Sequence, residues 1–149
     1  MKKINSYLIE RLKLGKEIDT YKPNTYNELR TIISELLKTQ GMDANLNVID
    51  TSNITDMHGL FSAYPQFNGD ISDWDVRKVE NMKDMFNGCT EFNCNISRWK
   101  TISLKYMNQM FCMCKSFNQD LNDWDVKNVE NMKDAFLYCP KCKKPKWYK

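Results

Sequence analysis

The sequence predicts an α/β repeat solenoid, in which about four 25-residue strand–helix units stack behind an N-terminal helical cap. The first observation is a repeat: the segment that opens at Phe67 recurs at Phe92 and at Phe117 without insertion. The second is that other side chains keep the same step, namely Trp74, Trp99 and Trp124, Met82, Met107 and Met132, Phe86, Phe111 and Phe136, and Cys89, Cys114 and Cys139. A fixed period of about 20 to 50 residues is typical of a solenoid, in which each unit buries its apolar face against its neighbours.

Residues 1–41 precede the repeats and contain two predicted helices. The first covers residues 3–14, where apolar side chains recur at helical spacing. The second begins at Thr25, which forms a predicted capping box with Glu28, and ends at Gly41. Its apolar stripe consists of Leu29, Ile32, Ile33, Leu36 and Leu37. Because the first repeat would otherwise expose its apolar end, we expect these helices to cap it; the alternative is that the helical pair is itself a docking element.

The repeats occupy residues 42–140 and divide into four units, 42–66, 67–91, 92–116 and 117–140. In the second unit, residues 70–76 are rich in Asp and Ser and have an extended pattern, which predicts a short strand. Side chains over residues 79–89 recur every three or four positions, which predicts one or two helical turns behind that strand. A strand plus a short helix in each unit is the leucine-rich-repeat arrangement. An asparagine after each repeating Phe is expected to bond the backbone of the adjacent turn, at Asn68, Asn93 and Asn118.

The chain has the length of one domain, and no window approaches the roughly 18 apolar residues of a membrane span. Glu10 and Arg11 interrupt the apolar run that a signal peptide would need, so we expect a cytoplasmic or virion-associated protein with reduced thiols. The net charge of +3 is divided unevenly. It amounts to +3 over residues 1–41, −5 over residues 42–140 and +5 over residues 141–149, the basic C-terminal tail.

Three surface positions alternate in charge along the second, third and fourth repeats: Asp73, Arg98 and Asp123, Asp75, Lys100 and Asp125, and Glu80, Lys105 and Glu130. Equivalent positions of adjacent parallel units lie about 5 Å apart, so the basic third repeat predicts attractive neighbours on both sides. Since exposed ion pairs contribute only some tenths of a kcal/mol, we expect these ladders mainly to fix the register of the repeats.

No residue pattern predicts chemistry. Cys139 and Cys142 have the spacing of half a zinc site, but the repeat already accounts for Cys139, and no second CxxC completes the site. Asp70, Asp73 and Asp75 resemble a calcium loop but lack the glycine and terminal glutamate of an EF-hand. With a single histidine and no nucleophile or phosphate-binding motif, we expect no enzyme, no catalytic residue, no cofactor and no bound metal.

The pattern F-N-x-x-I/L-x-x-W-x-x-x-x-V/L-x-x-M-x-x-M/A-F-x-x-C closely resembles the BspA-like leucine-rich repeats of the DUF285 type. The resemblance covers residues 42–140 and rests on positions that recur in three copies. Such repeats are common in surface proteins of anaerobic gut and oral bacteria, in mycoplasmas, and in phages and prophages of such hosts. The resemblance therefore implies a non-catalytic fold used for adhesion or protein binding. Because surface members are exported and longer, this chain is more similar to an intracellular, phage- or prophage-encoded relative.

The sequence thus predicts a non-enzymatic module that presents one face of its repeats to a protein partner, and no membrane partner. Two other functions stay open. The first is a structural or accessory component of a phage particle or other assembly, anchored by its termini. The second is nucleic-acid binding through the basic C-terminal tail, unless its tryptophan caps the last repeat. The candidate partner-binding residues are outward positions that differ between repeats, together with tail residues: Arg77, Arg98, Lys100, Lys105, Tyr106, Lys127, Lys143, Lys144, Trp147 and Tyr148.

Overall fold

The computed structural model of this protein describes residues 20–149, so the helix predicted over residues 3–14 lies outside the described residues. The second predicted helix is confirmed as α1, Tyr26–Gln40. The Thr25 hydroxyl accepts a hydrogen bond from the Glu28 N–H, and the Glu28 carboxylate accepts one from the Asn24 N–H at 2.7 Å, one residue earlier than a standard capping box. At the other end Gly41 has a φ of 89° and donates to the Leu37 carbonyl.

Helix α1 packs its apolar stripe into the core that the repeats share. Leu29, Ile32, Ile33, Leu36 and Leu37 are buried and belong to one continuous cluster with the apolar side chains of the repeats. The helix therefore covers the open end of the first repeat, as amphipathic caps of repeat arrays do.

The predicted α/β leucine-rich-repeat solenoid is wrong. Over residues 20–149, α1 is the only α-helix and there is no β-strand. The β-structure consists of isolated parallel bridges, which join Tyr21 to Ile49, Asn45 to Asp70, Asp56 to Asn81, Asn81 to Tyr106, and Tyr106 to Asn131. The last four bridges link residues 25 apart, so equivalent residues of successive repeats lie side by side, which confirms the predicted register.

The helical turns predicted over residues 79–89 are consecutive tight turns. The Met85 N–H donates to the Met82 carbonyl, and the Cys89 N–H to the Phe86 carbonyl. The Phe86 N–H donates instead to the Met110 carbonyl of the next repeat. Asp84, with a φ of 55°, interrupts any helix. A spacing of three or four thus arises from turns as readily as from a helix.

The strand predicted over residues 70–76 is also absent, because its polar side chains close turns. The Asp70 carboxylate accepts from the Ser72 N–H at 3.0 Å, and the Asp75 carboxylate accepts from the Arg77 N–H at 3.1 Å. Asn81 closes a third such turn in the same repeat. Asp and Asn favour these local hydrogen bonds over a ladder, so each repeat is a series of turns.

The repeating aromatic side chains form continuous columns through the core, which confirms their structural interpretation. One column has ring centroids 5.4 to 5.6 Å apart and consists of Phe61, Phe86, Phe111 and Phe136. A second has spacings of 5.7 and 5.9 Å and consists of Phe67, Phe92 and Phe117. The indole N–H of each repeating tryptophan donates to a carbonyl of the preceding repeat, from Trp74, Trp99 and Trp124. The predicted asparagine ladder is also present, since Asn68 accepts from the Asn93 N–H and Asn93 from the Asn118 N–H.

The cysteines differ in part from expectation. Cys139 and Cys142 are joined by a disulfide, so the expectation of reduced thiols is wrong for this pair. Cys89 and Cys114 are fully buried thiols whose Sγ–H groups donate to backbone carbonyls of neighbouring repeats. Burial raises the pKa of Cys89 to about 12 and raises the pKa of Cys114 as well. In the described part of the chain, no helix combines the length and apolar character that crossing a membrane requires.

Candidate functional site

The third repeat exposes two large apolar side chains where its neighbours have polar ones. Ile102 is 45% exposed and Tyr106 39% exposed. The positions equivalent to Ile102 are basic in the second and fourth repeats, at Arg77 and Lys127, and those equivalent to Tyr106 are asparagines. We call Arg77, Ile102, Lys105, Tyr106 and Lys127 the third-repeat face. Ile102 was missed in the sequence; the signal that could have found it is an apolar residue at an otherwise basic position.

Buried anchors position the two apolar side chains. Between them, Leu104 is fully buried and its N–H donates to the Thr101 carbonyl, which closes a tight turn. The Thr101 hydroxyl is buried and donates to the Asp125 carbonyl at 2.9 Å, which ties this turn to the fourth repeat. Hydrogen bonds to the second and fourth repeats therefore hold the backbone that carries Ile102 and Tyr106.

Hydrogen bonds to the flanking repeats orient Lys105 and Tyr106. The Lys105 ammonium lies 2.9 Å from the Glu80 carboxylate, and the Tyr106 hydroxyl donates to the Glu130 carboxylate at 3.0 Å. The bond to Glu80 raises the pKa of Lys105, and the bond to Glu130 raises the pKa of Tyr106. Of the predicted Glu80–Lys105–Glu130 ladder, the Glu80–Lys105 ion pair is formed. Glu130 is bonded by the Tyr106 hydroxyl in place of Lys105.

The basic side chains at the edges of the face pair within their own repeats. The Arg77 guanidinium donates two hydrogen bonds to the Asp75 carboxylate, at 2.7 and 3.0 Å, and these bonds lower the pKa of Asp75. Lys127 lies 3.1 Å from Asp125. Each aspartate closes a turn that places the basic side chain two residues later against its carboxylate. Asp75 and Asp125 therefore pair within their own repeats and not with Lys100, so the predicted Asp75–Lys100–Asp125 ladder is wrong.

Two further candidate residues stand apart from this face. Arg98 and Lys100 are exposed and make no ion pair with any residue from 20 to 149, so the predicted ladder through Arg98 is also wrong.

The tail residues form a second group at the other end of the repeats. The Trp147 indole donates to the Leu121 carbonyl at 2.9 Å, and its ring centroid lies 6.2 Å from that of Phe136. Tyr148 meets Phe136 edge-on at 4.9 Å. Lys144 lies 6.0 Å from the centroid of the Tyr148 ring, and both Lys143 and Lys144 are exposed. The two aromatic side chains therefore pack on the last repeat.

No group of three or more His, Cys, Asp or Glu side chains within the described ranges is placed to hold a metal ion. His58 pairs with Asp56 at 2.9 Å and stacks on Tyr26 at 4.4 Å, so its contacts belong to the junction of α1 with the first repeat. The arrangement can supply an apolar contact surface with oriented charges around it.

A family model described as "Mycoplasma protein of unknown function, DUF285" matches residues 28–147. This match includes all but the first two residues of α1 and all four repeats. No curated protein and no solved structure matches the chain.

Proposed function

This chain belongs to the DUF285 family, and we propose that it is a non-enzymatic protein-binding module whose third-repeat face contacts one protein partner. The observation that carries the proposal is the exposure of Ile102 and Tyr106 in a repeat whose neighbours have polar side chains at both positions. Scattered apolar side chains are normal on a surface. Here two of them lie four residues apart, Ile102 within the anchored turn and Tyr106 just after it, and flanking charges surround them.

The composition of the face supports binding to a protein. Tyrosine and arginine are enriched among the residues that contribute most to protein–protein affinity. The hydrogen bond from Tyr106 to Glu130 and the paired bonds from Arg77 to Asp75 already restrict these side chains. Restriction before binding lowers the entropy lost in the complex.

A finer kinship is part of the same proposal: a BspA-like, phage- or prophage-encoded member of the family. The BspA-like part of it is supported by the step of 25 residues that the repeating Phe, Trp, Met and Cys side chains keep. A role as a component of a phage particle or another assembly is compatible with the same face. Nucleic-acid binding has less support, because Trp147 and Tyr148 pack on Phe136 and so present less of their rings for stacking on bases.

The test exchanges the exposed apolar residues for those of neighbouring repeats. In the variant Ile102→Lys with Tyr106→Asn, both new residues already occur at equivalent positions, so the repeat geometry is retained. The matched control is Met113→Gly, which removes an apolar side chain of similar exposure elsewhere in the repeat and introduces the residue found at Gly88. Wild type, variant and control are used as bait in quantitative capture from the source cells, and each captured protein is then purified.

The readout is the Kd of the purified partner, measured by calorimetry. We expect the double variant to weaken binding by about 30-fold, the loss of about 2 kcal/mol that is typical of an energetic hot spot, and the control to bind like wild type. Equal affinities for the wild type and the double variant contradict the assignment of the face.

A further inference from the structure

The fourth repeat ends in a row of backbone N–H groups that find no partner among residues 20–149. In the third repeat, alternate N–H groups donate to the fourth at 2.8 to 2.9 Å, from Met107 to Asn131, Gln109 to Lys133, Phe111 to Ala135 and Met113 to Leu137. The equivalent donors of the fourth repeat are Met132, Asp134, Phe136 and Tyr138, and their N–H groups make no hydrogen bond with any of residues 20–149. Because the repeats are in register, these groups point away from the third repeat. We call residues 131–138 the open edge.

The open edge offers donors at these positions without matching acceptors. The carbonyls of Met132, Asp134 and Phe136 accept hydrogen bonds from Ala135, Leu137 and Cys139 in the turns of the repeat itself. Two open edges from two copies therefore cannot pair, since both would present N–H groups. The edge needs a partner that supplies oxygen acceptors at alternate residues, as the fourth repeat does for the third.

One carbonyl of the complementary acceptor row of this chain is already bonded by α1. The row consists of the carbonyls over residues 56–62 of the first repeat, at the positions that accept in later repeats. The Tyr26 hydroxyl donates to the His58 carbonyl at 2.7 Å, and the two rings stack. A second copy stacked head to tail would have to displace this helix, which disfavours a copy of this chain as the occupant of the open edge.

Apolar side chains along the open edge are incompletely covered. Val129 and Met132 are partly buried, whereas their counterparts Val79 and Met82 in the second repeat are fully buried. Tyr138 is 71% exposed and has a φ of 55°, in a position where the second repeat has glycine. The tail packs on Phe136 but leaves these side chains open. The exposed Tyr138 side chain beside these N–H groups is available for contact with a bound segment.

The charge around the edge selects the chemistry of the occupant. Residues 130–149 contain six lysines against two acids, Glu130 and Asp134, for a net charge of +4. Basic side chains and a row of N–H groups both favour an anionic segment. We propose that the open edge binds an extended acidic segment of a partner protein, whose alternate carbonyl oxygens accept from the four N–H groups and whose apolar side chains cover Val129 and Met132. This second surface is distinct from the third-repeat face and goes beyond the function proposed above.

The probe is a blocked synthetic peptide of alternating glutamate and valine, titrated into the full chain labelled with ¹⁵N. Hydrogen exchange is read by NMR at the amides of Met132, Asp134, Phe136 and Tyr138. At about ten times its Kd, the peptide is expected to slow exchange at these amides about tenfold, and a lysine–valine peptide is expected to leave them unchanged. Unchanged exchange at the four amides with the acidic peptide, or equal protection by the basic one, overturns the proposal.

Matched protein variants locate the charge effect. Lys133→Glu is expected to weaken the acidic peptide about fivefold, while Lys83→Glu, the same change at the equivalent position two repeats earlier, leaves its affinity unchanged. Ile102→Lys with Tyr106→Asn is expected to bind the peptide like wild type, so failure of one surface is separable from failure of the other. Equal weakening by the two charge changes overturns the location of the site. In the absence of peptide, protection of the four amides is expected not to depend on protein concentration. If it grows with protein concentration, a second copy is the occupant, which also overturns the proposal.

Discussion

Trp99 lies in the middle of the stacked repeats, and its replacement by phenylalanine tests how strongly one repeat holds the next. The side chain is 3% exposed, and its ring centroid lies 6.1 Å from that of Trp124 and 6.5 Å from that of Phe86. Its indole N–H donates to the Ile71 carbonyl of the preceding repeat at 3.1 Å. The substitution keeps an aromatic ring in the column. It removes the indole hydrogen bond to the preceding repeat and part of the buried ring.

The expected loss follows from two contributions. Phenylalanine lacks two of the ring carbons of the indole, and at about 0.8 kcal/mol for each buried carbon this costs about 1.6 kcal/mol. The Ile71 carbonyl keeps a hydrogen bond from the Trp74 N–H, so loss of the second bond costs about 1 kcal/mol. Together, Trp99→Phe is expected to lower the free energy of unfolding by about 2.5 kcal/mol.

Trp147→Phe is the matched control. Trp147 donates the same kind of bond to the Leu121 carbonyl, which also accepts from the Trp124 N–H, but its ring is only partly buried. Its loss is therefore expected to cost about 1 kcal/mol. The assay is urea unfolding followed by far-ultraviolet circular dichroism at several wavelengths, because a repeat array can unfold in parts. If the two variants lose equal free energy, burial between repeats is not what Trp99 contributes, and the reasoning is refuted.

Two further outcomes follow from backbone conformation and thiol burial. Tyr138→Gly is expected to raise the free energy of unfolding by about 0.5–1 kcal/mol, because glycine tolerates a φ of 55°. Gly88→Ala is expected to lower it by about 1 kcal/mol, because alanine does not tolerate a φ of 80°. Thermal unfolding of both variants checks the opposite signs. Cys89 is fully buried and has a pKa of about 12. At about pH 8 it is expected to react with iodoacetamide at least a hundredfold more slowly than the partly exposed Cys94. Peptide mass spectrometry follows both reactions, and equal rates contradict the burial of Cys89.

The register of the repeats follows from the sequence alone. A repeat of constant length without insertions allows each side chain to meet its own counterpart in the next unit, so the columns of Phe and Trp could be predicted from their step of 25 residues. The helix α1 could be predicted for a similar reason. Its signals at Thr25, Glu28 and Gly41 act within one or two turns of the chain and need no distant partner.

The local conformation inside a repeat depended on the tertiary structure. Side chains three or four apart are compatible with a helix and with consecutive turns, and the choice is made by hydrogen bonds to the next repeat, such as that from Phe86 to Met110. Left-handed backbone at Gln109, Met113 and Tyr138 has no signal in residue type, because these side chains disfavour it. At Gln109 and Met113 it is adopted where their N–H groups donate to the next repeat, at Lys133 and Leu137.

The candidate site shows the same division. Position along the repeat identified Arg77, Lys105, Tyr106 and Lys127 as outward residues that vary. Which of them pair with a neighbouring carboxylate, and that Ile102 is exposed beside Tyr106, depended on the path of the turns. The edge of N–H groups on the fourth repeat, unpaired within residues 20–149, likewise has no signature in the sequence. A hydrogen-bond donor is unpaired only in relation to what the rest of the chain places against it, and that is a property of the folded structure.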